Sequence, residues 1–199
     1  MKRTFRAGLA SAAALSLLGI QGLTTGCSSG GSGSADAAPA PPAGAVPATE
    51  REPQKAPPFE LEAVAGGKIS LDQYKGKVVM LDFWATWCGP CRASIPHLNE
   101  LYAAHQEAGL VILGISVDQA GPDAVRSFMK RTKMNYPLAM ANGNIVRAYG
   151  GIQSIPTAFL IDREGRVRQK YVGLRPKAAY EKDILALLRE EAPEEDETI

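Results

Sequence analysis

Two apolar runs dominate the hydrophobic pattern of this 199-residue chain. Residues 78–84 (VVMLDFW) are apolar except for Asp82, and residues 110–117 (LVILGISV) form a second run of the same kind. Continuous apolar runs of this length are typical of strands buried on both faces, as in a parallel sheet. The residues between them predict a helix over 88–108, which Pro96 should kink. Its apolar stripe consists of Ile95, Leu98, Leu101 and Tyr102.

Shorter patterns complete a domain that we expect to span residues 59–191. Alternating positions on either side of Gly66-Gly67 predict an N-terminal β-hairpin, and the turn at 163–166 predicts a second hairpin. The remaining predicted elements are helices at 122–132, 144–149 and 176–191 and a short strand at 136–140. This order predicts an α/β sandwich with helices on both faces. Its central sheet should be mostly parallel, with an antiparallel edge.

The first 26 residues have the pattern of an export signal. A basic start is followed by a soft apolar stretch over residues 7–23, which is too short and too interrupted to span a membrane. The stretch ends in LTTGC, which resembles the bacterial lipoprotein processing box, whose cysteine becomes lipidated. This resemblance implies that Cys27 carries acyl chains and anchors the protein to a membrane outside the cytoplasm. The alternative is an ordinary cleaved signal that leaves Cys27 unmodified or is cut beyond it.

Two further segments carry little that a core could bury. Residues 27–58 consist of Cys27 followed by a tether rich in Ala, Pro, Gly and Ser, for which we predict disorder. The last residues, 192–199, form an acidic tail. The domain should therefore be attached to the membrane through a flexible linker that lets it meet partners.

Composition excludes some function classes. The net charge is +1, and Lys and Arg are scattered along the chain, so nothing indicates a nucleic-acid surface. The sequence contains no internal repeat and no dimerising segment, and we expect a monomer. Three cysteines are an odd number, but lipidation of Cys27 would leave one pair.

That pair, in Cys88-Gly89-Pro90-Cys91, stands where the first apolar strand turns into the helix. Two thiols at this spacing can form a disulfide, and the helix N-terminus favours a thiolate on Cys88. We expect the pKa of Cys88 to fall from about 8.5 toward neutrality, Cys88 to attack, and Cys91 to resolve the mixed disulfide. A purely structural disulfide would gain little from so short a loop, and a zinc site would need ligands that no second CxxC supplies.

Asp82 is the one ionisable residue in the first apolar run. An ionised carboxylate is costly in such surroundings, so its pKa should rise, and it could then accept the proton of Cys91. The alternative is a hydrogen-bonded core aspartate without a part in catalysis.

Several segments resemble a known family. Residues 81–91 (LDFWATWCGPC) resemble the active-site signature of thioredoxin, and residues 154–157 (SIPT) resemble the cis-proline loop of that family. The hairpin, the export signal and the extra segment 118–149 resemble the TlpA/ResA branch of extracytoplasmic thiol–disulfide oxidoreductases. The resemblance covers residues 57–191.

The resemblance implies a thioredoxin-like fold and a set of substrate contacts. The Ile155-Pro156 peptide is expected to be cis and to face the cysteines, with the Ile155 backbone available to pair with an extended substrate. Trp87 should be an exposed contact beside Gly89 and Pro90, whereas Trp84 should be buried. No cofactor or metal is implied beyond the redox-active cysteine pair.

Two positions depart from the family's patterns. The TlpA/ResA branch often has an acidic residue where this chain has Ser94. Asp82 matches the buried aspartate of thioredoxin itself, but the lysine that accompanies it there is replaced by Gly114. We therefore expect proton handling close to that of thioredoxin but not identical to it.

These observations predict a membrane-tethered reductant in the cell envelope, on the periplasmic side if the envelope is Gram-negative. Its partners would be oxidised exported proteins, including the CxxC pairs of apocytochromes c. Electrons would come from a membrane transporter of reducing equivalents. An oxidase or isomerase would differ only in redox poise.

Two other functions use the same cysteines differently. A Cu(I) chaperone could bind metal through Cys88 and Cys91, but such proteins need a downstream histidine, and none follows His105. We expect His97 and His105 to be ordinary helix residues rather than ligands. A peroxidase of the peroxiredoxin type would need a lone cysteine with Pro and Thr upstream, an arrangement that this motif lacks.

Overall fold

The computed structural model describes residues 54–190. The signal peptide, the lipidation of Cys27, most of the tether and the acidic tail lie outside the described residues and stay predictions. The strands are β1 (Glu60–Glu62), β2 (Lys68–Ser70), β3 (Val78–Trp84), β4 (Leu110–Ser116), β5 (Leu138–Met140), β6 (Thr157–Ile161) and β7 (Val167–Val172). The helices are α1 (Gly89–His105), α2 (Pro122–Met129), α3 (Gly143–Ala148) and α4 (Lys177–Arg189), with a 3₁₀ helix at Leu71–Tyr74.

Five strands form the central sheet in the order β5-β4-β3-β6-β7, and β1 and β2 form a separate antiparallel pair. The pairings β3–β4 and β4–β5 are parallel, whereas β3–β6 and β6–β7 are antiparallel. The predicted α/β sandwich is confirmed. Its antiparallel part is larger than the edge we expected, because the β6–β7 hairpin pairs directly with the central strand β3.

The sheet carries an apolar core on each face. Every residue of β3 is buried, and its side chains alternate between the two cores. On one face, Met80 and Trp84 pack with side chains of α1, α2 and α4. On the other face, Leu81 and Phe83 pack with α3 and with the β1–β2 pair. An unbroken apolar run is the sequence pattern that such a two-sided burial requires.

The packed domain begins before its predicted boundary at residue 59. The Val167 N–H donates to the Gln54 carbonyl and the Ala56 N–H donates to the Gly165 carbonyl, both at 2.8 Å. The Tyr149 hydroxyl donates to the Pro57 carbonyl at 2.9 Å. Residues 54–58, which we had placed in the tether, therefore continue the sheet edge beside β7 through backbone bonds that composition does not reveal.

Helix boundaries agree with prediction to within three residues. Helix α2 ends at Met129 rather than at residue 132, and the Thr132 N–H instead closes a turn onto the Phe128 carbonyl. Helix α1 continues through Pro96. Within residues 54–190 no helix is long and apolar enough to cross a membrane.

Gly114 of β4 lies directly opposite Asp82 of β3 in the parallel register. A Cβ atom at position 114 would overlap the Leu138 side chain and would lie 3.1 Å from Trp84 Nε1 and 3.2 Å from the Tyr136 ring. The space in which thioredoxin has its lysine is therefore filled here by neighbouring side chains, and glycine is what fits.

We predict that Gly114→Ala lowers the free energy of unfolding by about 1–3 kcal/mol, because the added methyl group overpacks a filled core. Urea denaturation of the oxidised protein measures the change. Gly143→Ala is the matched control: its Cβ would come no closer than 3.4 Å to the Arg147 guanidinium, so stability should stay the same or rise slightly. Equal stabilities of wild type and Gly114→Ala would contradict this packing.

Candidate active site

The two cysteines stand at the junction of β3 and α1. Cys88 is the N-cap residue of α1 and Cys91 lies in its first turn, with the two sulfurs joined in a disulfide and the Cα atoms 5.3 Å apart. Cys88 is 5% exposed and Cys91 is 1% exposed, so Cys88 is the more accessible of the two. Of the two residues, Cys88 therefore lies nearer the surface.

The start of α1 favours negative charge on the Cys88 sulfur. The Cys91 N–H donates to Cys88 Sγ at 3.2 Å, and the helix dipole adds its positive end at the same place. The described first turn of α1 contains no acidic side chain that would oppose this effect. In the reduced protein the same N–H and dipole would favour the thiolate that we expect on Cys88 from the motif.

A buried carboxylate that the sequence analysis missed fixes the turn before Cys88. Asp118 is 7% exposed and accepts hydrogen bonds from the Thr86 N–H at 3.0 Å and from the Thr86 hydroxyl at 2.6 Å. The Ser116 hydroxyl donates to the same carboxylate at 2.8 Å. Asp118 follows β4, whose carboxyl end lies next to that of the parallel strand β3. This position in the sequence could have indicated that Asp118 lies near the turn after β3.

The Ile155-Pro156 peptide is cis, which confirms the prediction. The Ile155 carbonyl oxygen lies 3.8 Å from Cys88 Sγ. Within the described part of the chain, neither the N–H nor the C=O of Ile155 makes a backbone–backbone hydrogen bond. The loop is held instead through its neighbours, since the Gly173 N–H donates to the Pro156 carbonyl at 2.8 Å. An unpaired stretch of backbone therefore faces the disulfide.

The two tryptophans occupy the environments that we predicted for them. Trp87 is 70% exposed beside Cys88, and the following Gly89 and Pro90 are also exposed. Trp84 is buried, with its ring centroid 5.5 Å from that of Phe128. The surface around Cys88 thus includes a large exposed aromatic ring.

Asp82 is buried on the sheet face that also carries Cys91 in its core. Burial raises the pKa of this carboxyl from 3.8 to about 7. No side-chain hydrogen bond to Asp82 is formed by residues 54–190. Two polar atoms of the same core, Trp84 Nε1 and the Tyr136 hydroxyl, are also buried without partners in the described chain. Burial, followed by the charge of Asp82, raises the pKa of Tyr136 well above its usual value.

The other positions singled out in the sequence lie nearby on α1. The Ser94 hydroxyl donates to the Cys91 carbonyl at 2.7 Å, so Ser94 supports the backbone where the TlpA/ResA branch often has an acid. His105 Nε2 lies 3.3 Å from Glu181, and His97 is partly buried. Among the described residues, neither histidine joins a group of three side chains that could hold a metal ion.

The mixed sheet, the CxxC pair at a helix start and the cis-proline loop define a thioredoxin-like centre for thiol–disulfide exchange. The AhpC/TSA family model matches residues 53–170, and the chain belongs to this family.

Curated relatives and solved structures agree with this assignment. The thiol-disulfide oxidoreductase ResA of Bacillus thuringiensis subsp. konkukian is 40% identical over 129 residues, which are 64% of this chain and 73% of that protein. A putative thiol:disulfide interchange protein DsbE from Chlorobium tepidum is 39% identical with a TM-score of 0.64, covering 68% of this chain and 96% of the other. A putative protein disulfide isomerase from Bacteroides thetaiotaomicron is 32% identical with a TM-score of 0.64, covering 70% and 91%. The chain is an enzyme of the thiol–disulfide oxidoreductase class.

Asp82 should make the stability of the protein depend on pH. Its pKa is 3.8 without burial and about 7 in the fold. Between these two pH values Asp82 is ionised in the unfolded chain but still protonated in the folded protein. Stability therefore falls as pH rises through this range. We predict that Asp82→Asn, which cannot ionise, is more stable than wild type at pH 8 by up to about 4 kcal/mol and close to wild type at pH 4.

Urea denaturation of the oxidised proteins at both pH values measures this difference. Asp72→Asn is the control, because that carboxylate side chain is 73% exposed, and its substitution should leave the pH dependence unchanged. If wild type and Asp82→Asn differed by the same amount at pH 4 and pH 8, burial would not be raising the pKa of Asp82.

Proposed function

We propose that this enzyme reduces disulfides of exported proteins outside the cytoplasm, cycling between the Cys88–Cys91 dithiol and disulfide. The observation that carries the proposal is the position of Cys88 Sγ, at a helix start and 3.8 Å from the Ile155 carbonyl of an unpaired backbone segment. A Cys88 thiolate held beside such a segment can meet the disulfide of a substrate chain and exchange with it. The similarity to a thiol-disulfide oxidoreductase and to a thiol:disulfide interchange protein supports the same chemistry.

The reaction takes two exchange steps. The Cys88 thiolate attacks a substrate disulfide, forming a bond between Cys88 and one substrate sulfur and releasing the other as a thiolate. Cys91, once deprotonated, attacks Cys88 Sγ, closes the internal disulfide and releases the second substrate thiolate. Two electrons pass from the enzyme to the substrate, and a dithiol donor must then reduce the Cys88–Cys91 bond.

Asp82 is the proposed proton acceptor for Cys91. Its pKa of about 7 leaves a substantial ionised fraction at neutral pH, so it can take the thiol proton as Cys91 becomes the nucleophile. The unpartnered polar atoms of Trp84 and Tyr136 lie in the same core, which makes this part of the interior less apolar than the strand sequence indicates.

The substrate contacts follow from the surface around Cys88. The backbone of Ile155 would pair with an extended substrate strand, while Pro156 shapes the loop. Trp87 offers a large exposed ring that can cover the mixed disulfide, and Gly89 and Pro90 leave its approach open.

The direction of electron flow and the location are proposed from the sequence. Gly89-Pro90 between the cysteines matches reducing members of the fold, so a membrane transporter of reducing equivalents is the proposed donor. Lipidation of Cys27 would hold the enzyme near that donor in the cell envelope. Oxidised CxxC pairs of exported proteins, including apocytochromes c, are the proposed substrates.

We predict that the full chain accelerates the reduction of insulin disulfides by dithiothreitol, followed as turbidity. Cys88→Ala should lower the rate to that of dithiothreitol alone, because no mixed disulfide can form. Cys27→Ala is the control and should retain the wild-type rate, since the proposed anchor takes no part in exchange. The same rate with wild type and with dithiothreitol alone would reject the function.

In the native host, Cys91→Ala should accumulate mixed disulfides on Cys88, and mass spectrometry should identify exported proteins in them. The double variant lacking both cysteines should trap none. If only cytoplasmic proteins were trapped, the proposed location and substrate class would be wrong.

A further inference from the structure

A groove of about 440 Å³ lies beside the redox centre, and of its lining residues only Trp87 has been given a substrate contact above. Its walls come from the turn before α1, from the first turn of α1, and from α2 with the turn after it. The lining residues are Thr86, Trp87, Arg92, Ala124, Phe128, Arg131 and Thr132. The groove therefore combines aromatic walls with two guanidinium groups.

Its charge is of one sign. Arg92 and Arg131 are exposed, and none of the described lining residues carries a carboxylate. Within residues 54–190, neither guanidinium forms an ion pair or a side-chain hydrogen bond, whereas Arg126 is bonded to Asp123 at 2.6 Å. Arg92 Cζ lies 6.0 Å from the centroid of the Phe128 ring, a cation–π contact that leaves the guanidinium hydrogen-bond donors free. Both arginines are thus available to an anionic group.

The groove begins next to the reacting sulfurs. Trp87 directly precedes Cys88 and Arg92 directly follows Cys91, so each cysteine has a chain neighbour in the groove wall. Successive Cα atoms are about 3.8 Å apart. The groove is therefore within reach of side chains that lie a few residues from a substrate cysteine attached to Cys88.

We propose that the groove binds an acidic side chain of the substrate polypeptide close to its disulfide, so that the enzyme prefers disulfides flanked by Asp or Glu. The inference rests on the proposed function and adds a substrate class to it. A guanidinium matches a carboxylate through two parallel hydrogen bonds. Trp87 and Phe128 can hold the apolar stem of the same side chain.

The test uses three oxidised peptides that each contain one disulfide and differ at a single residue, Glu, Gln or Lys, two positions before the first cysteine. The readout is the second-order rate constant for their reduction by the reduced full chain in a single turnover at low salt. We expect the Glu peptide to exceed the Gln peptide on the order of fivefold, and the Lys peptide to be slowest. At 0.5 M salt the preference should shrink toward one, since screening weakens exposed charge pairs.

Variants assign the preference to the groove. Arg131→Gln should lower the ratio of the Glu to the Gln peptide, and the double variant Arg92→Gln/Arg131→Gln should bring it to about one. Arg189→Gln is the matched control, because Arg189 is exposed at the end of α4, does not line the groove, and should leave the ratio unchanged.

Equal rates for the three peptides with wild type, or a preference that survives the double variant, would overturn the groove proposal while leaving disulfide reduction intact. A wild-type protein that reduced none of the peptides would instead reject the proposed function, on which the groove proposal depends. Saturable binding of glutarate, with no preference among the peptides, would identify a small-anion site and also overturn the proposal.

Discussion

The site depends on the hydrogen bond from the Cys91 amide to the Cys88 sulfur, at the point where a helix begins directly behind a buried strand. That bond and the helix dipole act on one sulfur only, so two chemically identical side chains lie in different electrostatic environments. The arrangement holds because Asp118 ties down Thr86 in the turn between strand and helix, 32 residues away along the chain. If this turn shifted, the sulfur would lose its position relative to both α1 and the Ile155 loop.

A second constraint comes from the carboxyl group of Asp82, which is buried on the sheet face whose core includes both cysteines. Asp82 has no charged partner opposite it, because Gly114 occupies the facing position on β4. The space next to Gly114 is filled by Leu138, Trp84 and Tyr136. Desolvation is therefore what raises the pKa of Asp82 to about 7. The interior is consequently less stable at high pH, and a pKa near neutrality suits the role of proton acceptor proposed for Asp82.

Features carried by contiguous residues could be predicted, and features made by distant residues could not. The seven residues of β3 follow from local sequence, since an unbroken apolar run specifies them, and the cis peptide before Pro156 follows from the resemblance of the SIPT segment to a known loop. Asp118, by contrast, bonds to Thr86, which is 32 residues away along the chain. Arg131 reaches the groove because α2 ends at Met129 and the chain then turns back. Residues 54–58 were misassigned because backbone pairing leaves no trace in composition.

The central claim is that the start of α1 activates the Cys88 sulfur selectively. The most direct measurement is the pH dependence of iodoacetamide alkylation in the fully reduced protein, with the modified residue identified by mass spectrometry. The account predicts that Cys88 alone is labelled rapidly, with a half-maximal rate well below about pH 8.5, the value for a free cysteine. Labelling of Cys88 and Cys91 at equal rates, or a midpoint at the free-cysteine value, would contradict it.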